Sequence, residues 1–223
     1  VNPERQSWRC FGACATGGDV FSFVMRMEGL DFAETLRLLA QRTGVTLSSR
    51  RDTGRNDGLY RVNQDAVRFY SDVLHSSRGR HAMDYLTRRG VDEAMISSFK
   101  LGLSPDRWDG LKTHLSQLGF DEDQAIEAGL LRRNDDGSTR DFFRARLMFP
   151  IHDRQGRVVG IGARTLDDST PKYLNTAQTQ VFDKRGILYG LHLAQEQIGA
   201  KSTAVVVEGY MDVITAHEHG FKD

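Results

Sequence analysis

Val205-Val206-Val207-Glu208-Gly209-Tyr210-Met211-Asp212-Val213-Ile214 is the stretch on which the reading of this chain turns. Three β-branched residues make a short apolar strand. A carboxylate ends it, a glycine turns the chain and a helix follows. The pattern predicts Glu208 at the carboxyl edge of a parallel-type sheet, where open α/β sheets bind ligands. It also fits a buried strand whose terminal carboxylate only caps the next helix. The remainder of the chain has to choose between the two.

The 223 residues suffice for one or two domains with a real core. Charge balances at 30 basic and 30 acidic residues, so the total names no partner. Its distribution says more. Arg132 to Arg164 holds eight arginines against four acids, whereas Leu191 to Asp223 holds two lysines against five acids. A basic middle before an acidic end suits a site that grips polyanions beside metal-binding carboxylates, although ordinary solvated surface also fluctuates this way. No signal peptide and no run of about 18 apolar residues is present, so neither secretion nor membrane spanning is indicated and a cytoplasmic location is expected. Two cysteines argue against a disulfide framework and leave metal binding or burial. Neither end reads like a natural terminus, and a fragment is expected.

Along the chain, Cys10-Phe11-Gly12-Ala13-Cys14 with Gly17-Gly18 forms a glycine-rich turn. Asp19 caps a helix with Val20, Phe23, Val24 and Met27 on one face, ended by Gly29. Asp31 with Glu34 is a capping box for a second helix that Gly44 stops. Residues 48–58 are polar, charged and without periodicity, which reads as a linker. Leu59–Leu74 is helical, and shorter helices are expected over Ala82–Arg88, from Asp92, over Arg107–Leu118 and over Glu122–Ala128. After Gly129 the period becomes strand-like. Asn134–Gly137 is a hairpin turn, and Leu147–Ile151 and Val158–Ile161 are strands. His192–Ile198 reads as a helix, Thr203–Glu208 as the apolar strand and Tyr210–His219 as the closing helix. His217 and His219 are expected at the surface.

Several groups could carry chemistry. Cys10 and Cys14 can supply half of a tetrahedral zinc site, or be two reduced, partly buried cysteines. Arg144 and Arg146, on one face of an extended segment, can grip successive phosphates or line an edge strand. Lys172-Tyr173-Leu174-Asn175 mixes a cation, an aromatic and an amide on a loop, which suits nucleotide or single-strand contact. Lys184 is a second loop lysine; either lysine alone could be merely exposed. No phosphate-binding loop of the ATPase type and no HExxH motif occurs, so an ATP-driven motor is not supported.

Taken together, these motifs resemble one family. Cys10–Cys14 with Gly17-Gly18-Asp19, Phe21-Ser22-Phe23 and Glu28-Gly29 is similar to the CHC2-type zinc-binding domain of bacterial DNA primases. Tyr85–Gly90, Phe143–Ile151, Gly160–Arg164, Lys172–Asn175, Leu188–Gly190 and Glu208–Asp212 resemble that family's polymerase core, in order and at similar spacing. The resemblance implies an α+β chain: a partial zinc ribbon over 1–47, a linker over 48–58, the N-terminal part of the catalytic core over 59–200 and the start of a toprim fold over 201–223. It implies a DNA-directed RNA polymerase making short RNA primers on single-stranded DNA from ribonucleoside triphosphates. Glu208 would be a catalytic ligand for magnesium or manganese, and Asp212 would support it from one helical turn on. Lys172, Lys184, Asn175, Arg164, Arg144, Arg146 and Arg89 would contact nucleotide or primer–template. Cys10 and Cys14 would bind zinc.

Two departures stand out: Ala13 lengthens the family's Cys-Phe-Gly-Cys turn, and the Asp-x-Asp pair expected after the last helix does not precede Asp223. The resemblance implies further that a Cys-x-x-His half-site and a helicase-binding C-terminal domain lie outside this stretch, that the chain is a monomer, and that this piece alone synthesises nothing. A phage-type primase–helicase fragment and a non-catalytic zinc-ribbon DNA-binding protein are the alternatives.

Overall fold

The structure, a computed structural model, describes residues 1–45 and 51–223. It divides into two compact units, Val1–Arg51 and Asp52–Asp223.

In the first unit, strands β1 (Trp8–Arg9) and β2 (Gly17–Gly18) pair antiparallel around the cysteine turn. Helices α1 (Val20–Glu28) and α2 (Phe32–Thr43) follow. Both begin at the expected caps. Asp19 accepts from the Ser22 N–H at 2.8 Å, and Asp31 with Glu34 closes a reciprocal capping box. These bonds satisfy donors that a first helical turn leaves unpaired. The Trp8 indole N–H donates to the Asp19 carbonyl at 3.0 Å, and its ring meets Phe23 edge-on at 5.5 Å, which ties the hairpin to α1.

The second unit opens with α3 (Arg51–His75). This corrects the expected linker. Residues 48–50 lie outside the described residues, and from Arg51 onward the backbone is helical. The apolar stripe that betrays a helix in sequence starts only at Leu59, where α3 meets the core. Next come α4 (Arg80–Arg88), α5 (Glu93–Ser98), β3 (Gly102–Leu103), α6 (Gly110–Gln117) and α7 (Glu122–Glu127). Strands β4 (Leu131–Arg133) and β5 (Thr139–Asp141) form the predicted hairpin. The main sheet adds β6 (Arg146–His152), β7 (Val158–Thr165) and β8 (Tyr173–Asn175), in the order β3-β6-β7-β8 with every pair antiparallel. Helices α8 (Leu191–Lys201) and α9 (Tyr210–Glu218) close the chain.

Helices cover both faces of this sheet. Met148, Ile161 and Ala163 pack against α3, α6 and α7. Leu147 and Phe149, alternating to the other face, pack against α4, α5 and α9. A sheet covered on both sides reads as a continuous apolar run rather than an alternating one, and all seven residues of β6 are buried. His217 corrects a second expectation: it is buried, edge-on to Phe99 at 5.1 Å. It extends the Met211–Ile214 stripe by one more helical step of three. Among the described residues no helix is long and apolar enough to cross a membrane.

Candidate functional site

The cysteine turn is closed by backbone bonds from Cys10 N–H to Thr16 O at 2.7 Å and from Ala15 N–H to Gly12 O at 3.0 Å. Cys10 and Cys14 are reduced. Their side chains converge: the Cys14 thiol, followed by backbone N–H groups of the turn, holds the Cys10 thiol below its ordinary value. A turn that favours thiolate and brings two sulfurs together fits half of a tetrahedral zinc site. Among the described residues no group of three or more metal-ligating side chains completes it.

Glu208 is exposed at the turn before α9, with the Asp212 carboxylate accepting from the Gly209 N–H at 3.1 Å just beyond it. The carboxylate one turn into the helix thus caps the turn from which Glu208 projects. The strand expected at Thr203–Glu208 is a correction. This segment pairs with no strand, and the only backbone bond seen along it runs from Val205 N–H to Asp223 O at 3.1 Å, among the described residues. Three β-branched residues favour extended backbone, but a strand also needs an adjoining edge to bond to. Every strand pair among the described residues is antiparallel, so none supplies the parallel-type sheet expected beside Glu208.

The main sheet presents a face of interest. Gly162 pairs with Asn175 and Arg164 with Tyr173, so Arg164, Tyr173 and Asn175 fall on one face by alternation. The Tyr210 hydroxyl, from the first turn of α9, donates to Asn175 Oδ1 at 2.9 Å, which marks this as the face that α9 covers. The Arg164 guanidinium lies over the Tyr173 ring and the Tyr85 ring, at 5.5 Å from each centroid. Arg89, at the end of α4, lies over the same Tyr85 at 5.3 Å. Tyrosine rings thus hold two guanidiniums in place through cation–π attraction. Lys172, one residue before β8, is exposed, and so is Lys184. The Lys184 loop is anchored by Phe182, buried against Ile151 and Val159.

Arg144 and Arg146 part company. Ala145 between them adopts a left-handed φ of 51°, which breaks the alternation that would have put them on one face. Arg146 turns inward, is buried, and donates to the Pro171 carbonyl at 2.8 Å. Its expected phosphate contact is corrected: it braces the loop that carries Lys172. Arg144 stays outside, pairs with Asp106 at 3.1 Å and lies over the Trp108 ring at 4.2 Å. Arg140 lies over the same ring at 4.6 Å.

The buried Asp141 builds this second cluster. Its N–H donates to the Trp108 carbonyl at 2.8 Å, and its carboxylate accepts from the Leu111 and Lys112 N–H groups at 2.7 and 2.9 Å. Burial pushes the Asp141 carboxyl up and these N–H bonds pull it back. The hairpin is thereby fixed to the start of α6, with Trp108 half exposed between two guanidiniums.

Sequence reasoning missed Trp108, Tyr85 and Tyr210. Trp108 carries a faint signal, an aromatic set between Arg107 and Asp109 where a core ring would have apolar neighbours. The two tyrosines lie within the quoted motifs, yet their partners are distant in sequence.

Exposed guanidiniums, a half-exposed indole and a ridge of tyrosines share an affinity for the phosphates and flat bases of nucleic acid. The fold and these clusters therefore define an α+β protein whose arginine–aromatic surfaces suit nucleic acid, with a thiol-bearing accessory unit. Comparison with known proteins narrows the class. The chain belongs to the bacterial DNA primase family: residues 69–195 match the DNA primase catalytic core, N-terminal domain, and residues 1–55 match the CHC2 zinc finger. The DNA primase of Deinococcus radiodurans is 46% identical over 222 residues, covering 99% of this chain and 38% of that protein. That of Synechococcus elongatus is 42% identical, with 99% and 33% covered. The chain thus spans well under half the length of these relatives.

Among solved structures, the zinc-binding and RNA polymerase domains of Aquifex aeolicus primase superpose with a TM-score of 0.69 at 31% identity, covering 100% of this chain and 54% of that one. A primase catalytic domain bound to single-stranded DNA gives 0.70 at 38% identity, covering 76% and 55%.

Proposed function

We propose that this chain forms the zinc-turn unit and the N-terminal catalytic-core unit of a DNA primase, which makes short RNA primers on single-stranded DNA from ribonucleoside triphosphates. The observation that carries the proposal is that Arg164, Tyr173 and Asn175 share one sheet face, with Tyr210 reaching that face from two residues beyond Glu208. A template strand, a triphosphate and a carboxylate-held cation are the components that primer synthesis requires.

In this reading Lys172 and Lys184 neutralise charge that builds on the transferring phosphates. Arg89 and Arg164, held by Tyr85, meet the template backbone. Trp108, flanked by Arg140 and Arg144, offers a stacking surface to an unpaired base. Magnesium or manganese, when bound, would supply Lewis-acid stabilisation of the triphosphate, and the exposed oxygens of Glu208 suit such a hard cation. Asp212 keeps the Glu208 turn in shape. Cys10 and Cys14 would hold zinc and keep the first unit folded around its turn. A replicative helicase is a partner of the whole enzyme, through a segment other than this one.

The test uses a chimera in which this chain replaces the matching 38% of the Deinococcus radiodurans protein. Glu208→Gln should abolish primer synthesis on single-stranded DNA while leaving DNA binding in a gel-shift assay largely intact. Undiminished synthesis by that variant would remove Glu208 from catalysis. A chimera that binds DNA but synthesises nothing even with Glu208 intact would favour a non-catalytic DNA-binding role.

A further inference from the structure

Phe149 on β6, Gly162 on β7 and Asn175 on β8 form one row across the sheet. Tyr210 lies along that row. Its ring stacks on Phe149 with centroids 5.1 Å apart and planes 16° apart, and Tyr189 meets it edge-on at 4.7 Å. Above β7 the ring fits because residue 162 has no side chain; a Cβ there would overlap the ring atoms. At β8 its hydroxyl donates to Asn175 Oδ1 at 2.9 Å.

A carboxamide has an accepting end and a donating end, and the partner at one end decides which way the other points. Here the oxygen is engaged by Tyr210. The NH₂ group is therefore the end that Tyr210 does not engage, on the sheet face that Asn175 shares with Arg164 and Tyr173. A two-proton donor on a face that also carries the Arg164 guanidinium matches the oxygens of a polyphosphate.

We propose that Tyr210 is a positioning residue for phosphate recognition: it locks the Asn175 amide with its NH₂ toward a bound triphosphate and ties that amide to the turn bearing Glu208. The inference rests on the reading of Lys172, Asn175 and Glu208 as one nucleotide site. It also explains why a glycine on β7, an asparagine on β8 and a tyrosine after the carboxylate turn belong together. They form a single slot and its occupant. Burial raises the Tyr210 hydroxyl above its ordinary value, which keeps it a donor at neutral pH.

Tyr210→Phe removes one oxygen and leaves the ring stack in place. The probe is inorganic tripolyphosphate titrated into this chain. Binding is followed through the Asn175 side-chain amide resonances, assigned by their loss in Asn175→Asp. In the unmodified chain those two proton signals should shift as tripolyphosphate binds. In Tyr210→Phe the amide shift should collapse and the apparent Kd should rise roughly 3–10-fold, as for one lost hydrogen bond. The thermal midpoint should move by only a few degrees, so that a general loss of structure would be visible as such. Lys172→Ala serves as the control on the site. If it weakens binding while Tyr210→Phe binds like the parent with its amide shift intact, the inference is overturned and the nucleotide site stands. If the unmodified chain does not bind, or binds indifferently to both substitutions, the nucleotide site falls and the inference falls with it.

Discussion

Two valine-rich stretches of this chain meet opposite fates. Val158 and Val159, with Ile161, sit in β7 at no more than 1% exposure; β7 pairs with β6 along its length, and β8 joins its other edge from Gly162 to Arg164. Val205, Val206 and Val207 are 49%, 76% and 37% exposed and belong to no strand. The residue types are the same, so intrinsic preference for extended backbone cannot be what separates them. Partners do. A strand is stabilised by neighbours on its edges and by cover on its faces, and both are met only at β7. The boundary between these regimes runs through Tyr210, which lies on the completed sheet while the residues before Glu208 are uncovered.

The largest effect that contrast predicts is at Ile161, fully buried in the core between β7 and α3. Ile161→Ala should cost about 2–5 kcal/mol in urea unfolding, because lost transfer energy adds to a cavity that cannot collapse. A cost below about 1 kcal/mol would mean that this side of the sheet is as loosely held as the Val205 segment. Trp108 is an intermediate case, half exposed yet held by two guanidiniums. Trp108→Ala should weaken binding of a short single-stranded DNA by about 1–3 kcal/mol in fluorescence anisotropy, the worth of one base stack, with little change in folding stability. Unchanged affinity would make the indole a structural peg for the hairpin.

The elements that sequence made legible are those decided locally. The caps at Asp19 and Asp31, the hairpin turn at Asn134–Gly137 and the apolar runs of β6 and β7 all depend on residues within a few positions of one another. What was not legible depends on distant partners. Alternation sets Arg146 beside Arg144, and nothing local says that Ala145 turns left-handed. The start of α3 is not legible because the apolar stripe begins only at Leu59. Tyr210 belongs to the Glu208–Asp212 motif, but its role emerges only when Phe149, Gly162 and Asn175 fall into register.

A smaller effect probes the covered side of the contrast through protonation. His152, at the end of β6, is buried and stacks on His192 of α8 at 4.2 Å. Neither nitrogen of His152 has a hydrogen-bond partner among the described residues. Burial holds His152 down to about 3 and His192 down to about 4, with nearby Lys100 opposing protonation of each. The unfolded chain, with values near 6.5, therefore takes up protons first as pH falls. The stability supplied by the neutral pair is complete above pH 6.5 and is lost as pH drops from there toward 4 and then 3. Between pH 6.5 and 5 the chain should lose up to about 3 kcal/mol, roughly half from each ring, before most carboxylates titrate. The double variant His152→Phe with His192→Phe should flatten that slope in urea midpoints measured across the same interval. An unaltered slope would mean that the rings are hydrated in solution.

The smallest predicted effect, at Val206, belongs to a pair of substitutions that addresses the contrast most directly. Val→Thr keeps the shape and the β-branch and adds one hydroxyl, so extended preference is unchanged and only burial is tested. At Val159, 1% exposed, the hydroxyl enters the cluster of Ile151 and Phe182 and should cost about 1–3 kcal/mol. At Val206, 76% exposed, the same change should stay within about 0.5 kcal/mol. Similar losses at both positions would mean that something covers Val206 in solution, and the opposition between the two stretches would then vanish. A near-zero value at Val206 leaves those valines as strand-formers without a sheet, so that any surface offering a free strand edge and an apolar face should raise the cost of Val206→Thr toward that of Val159→Thr.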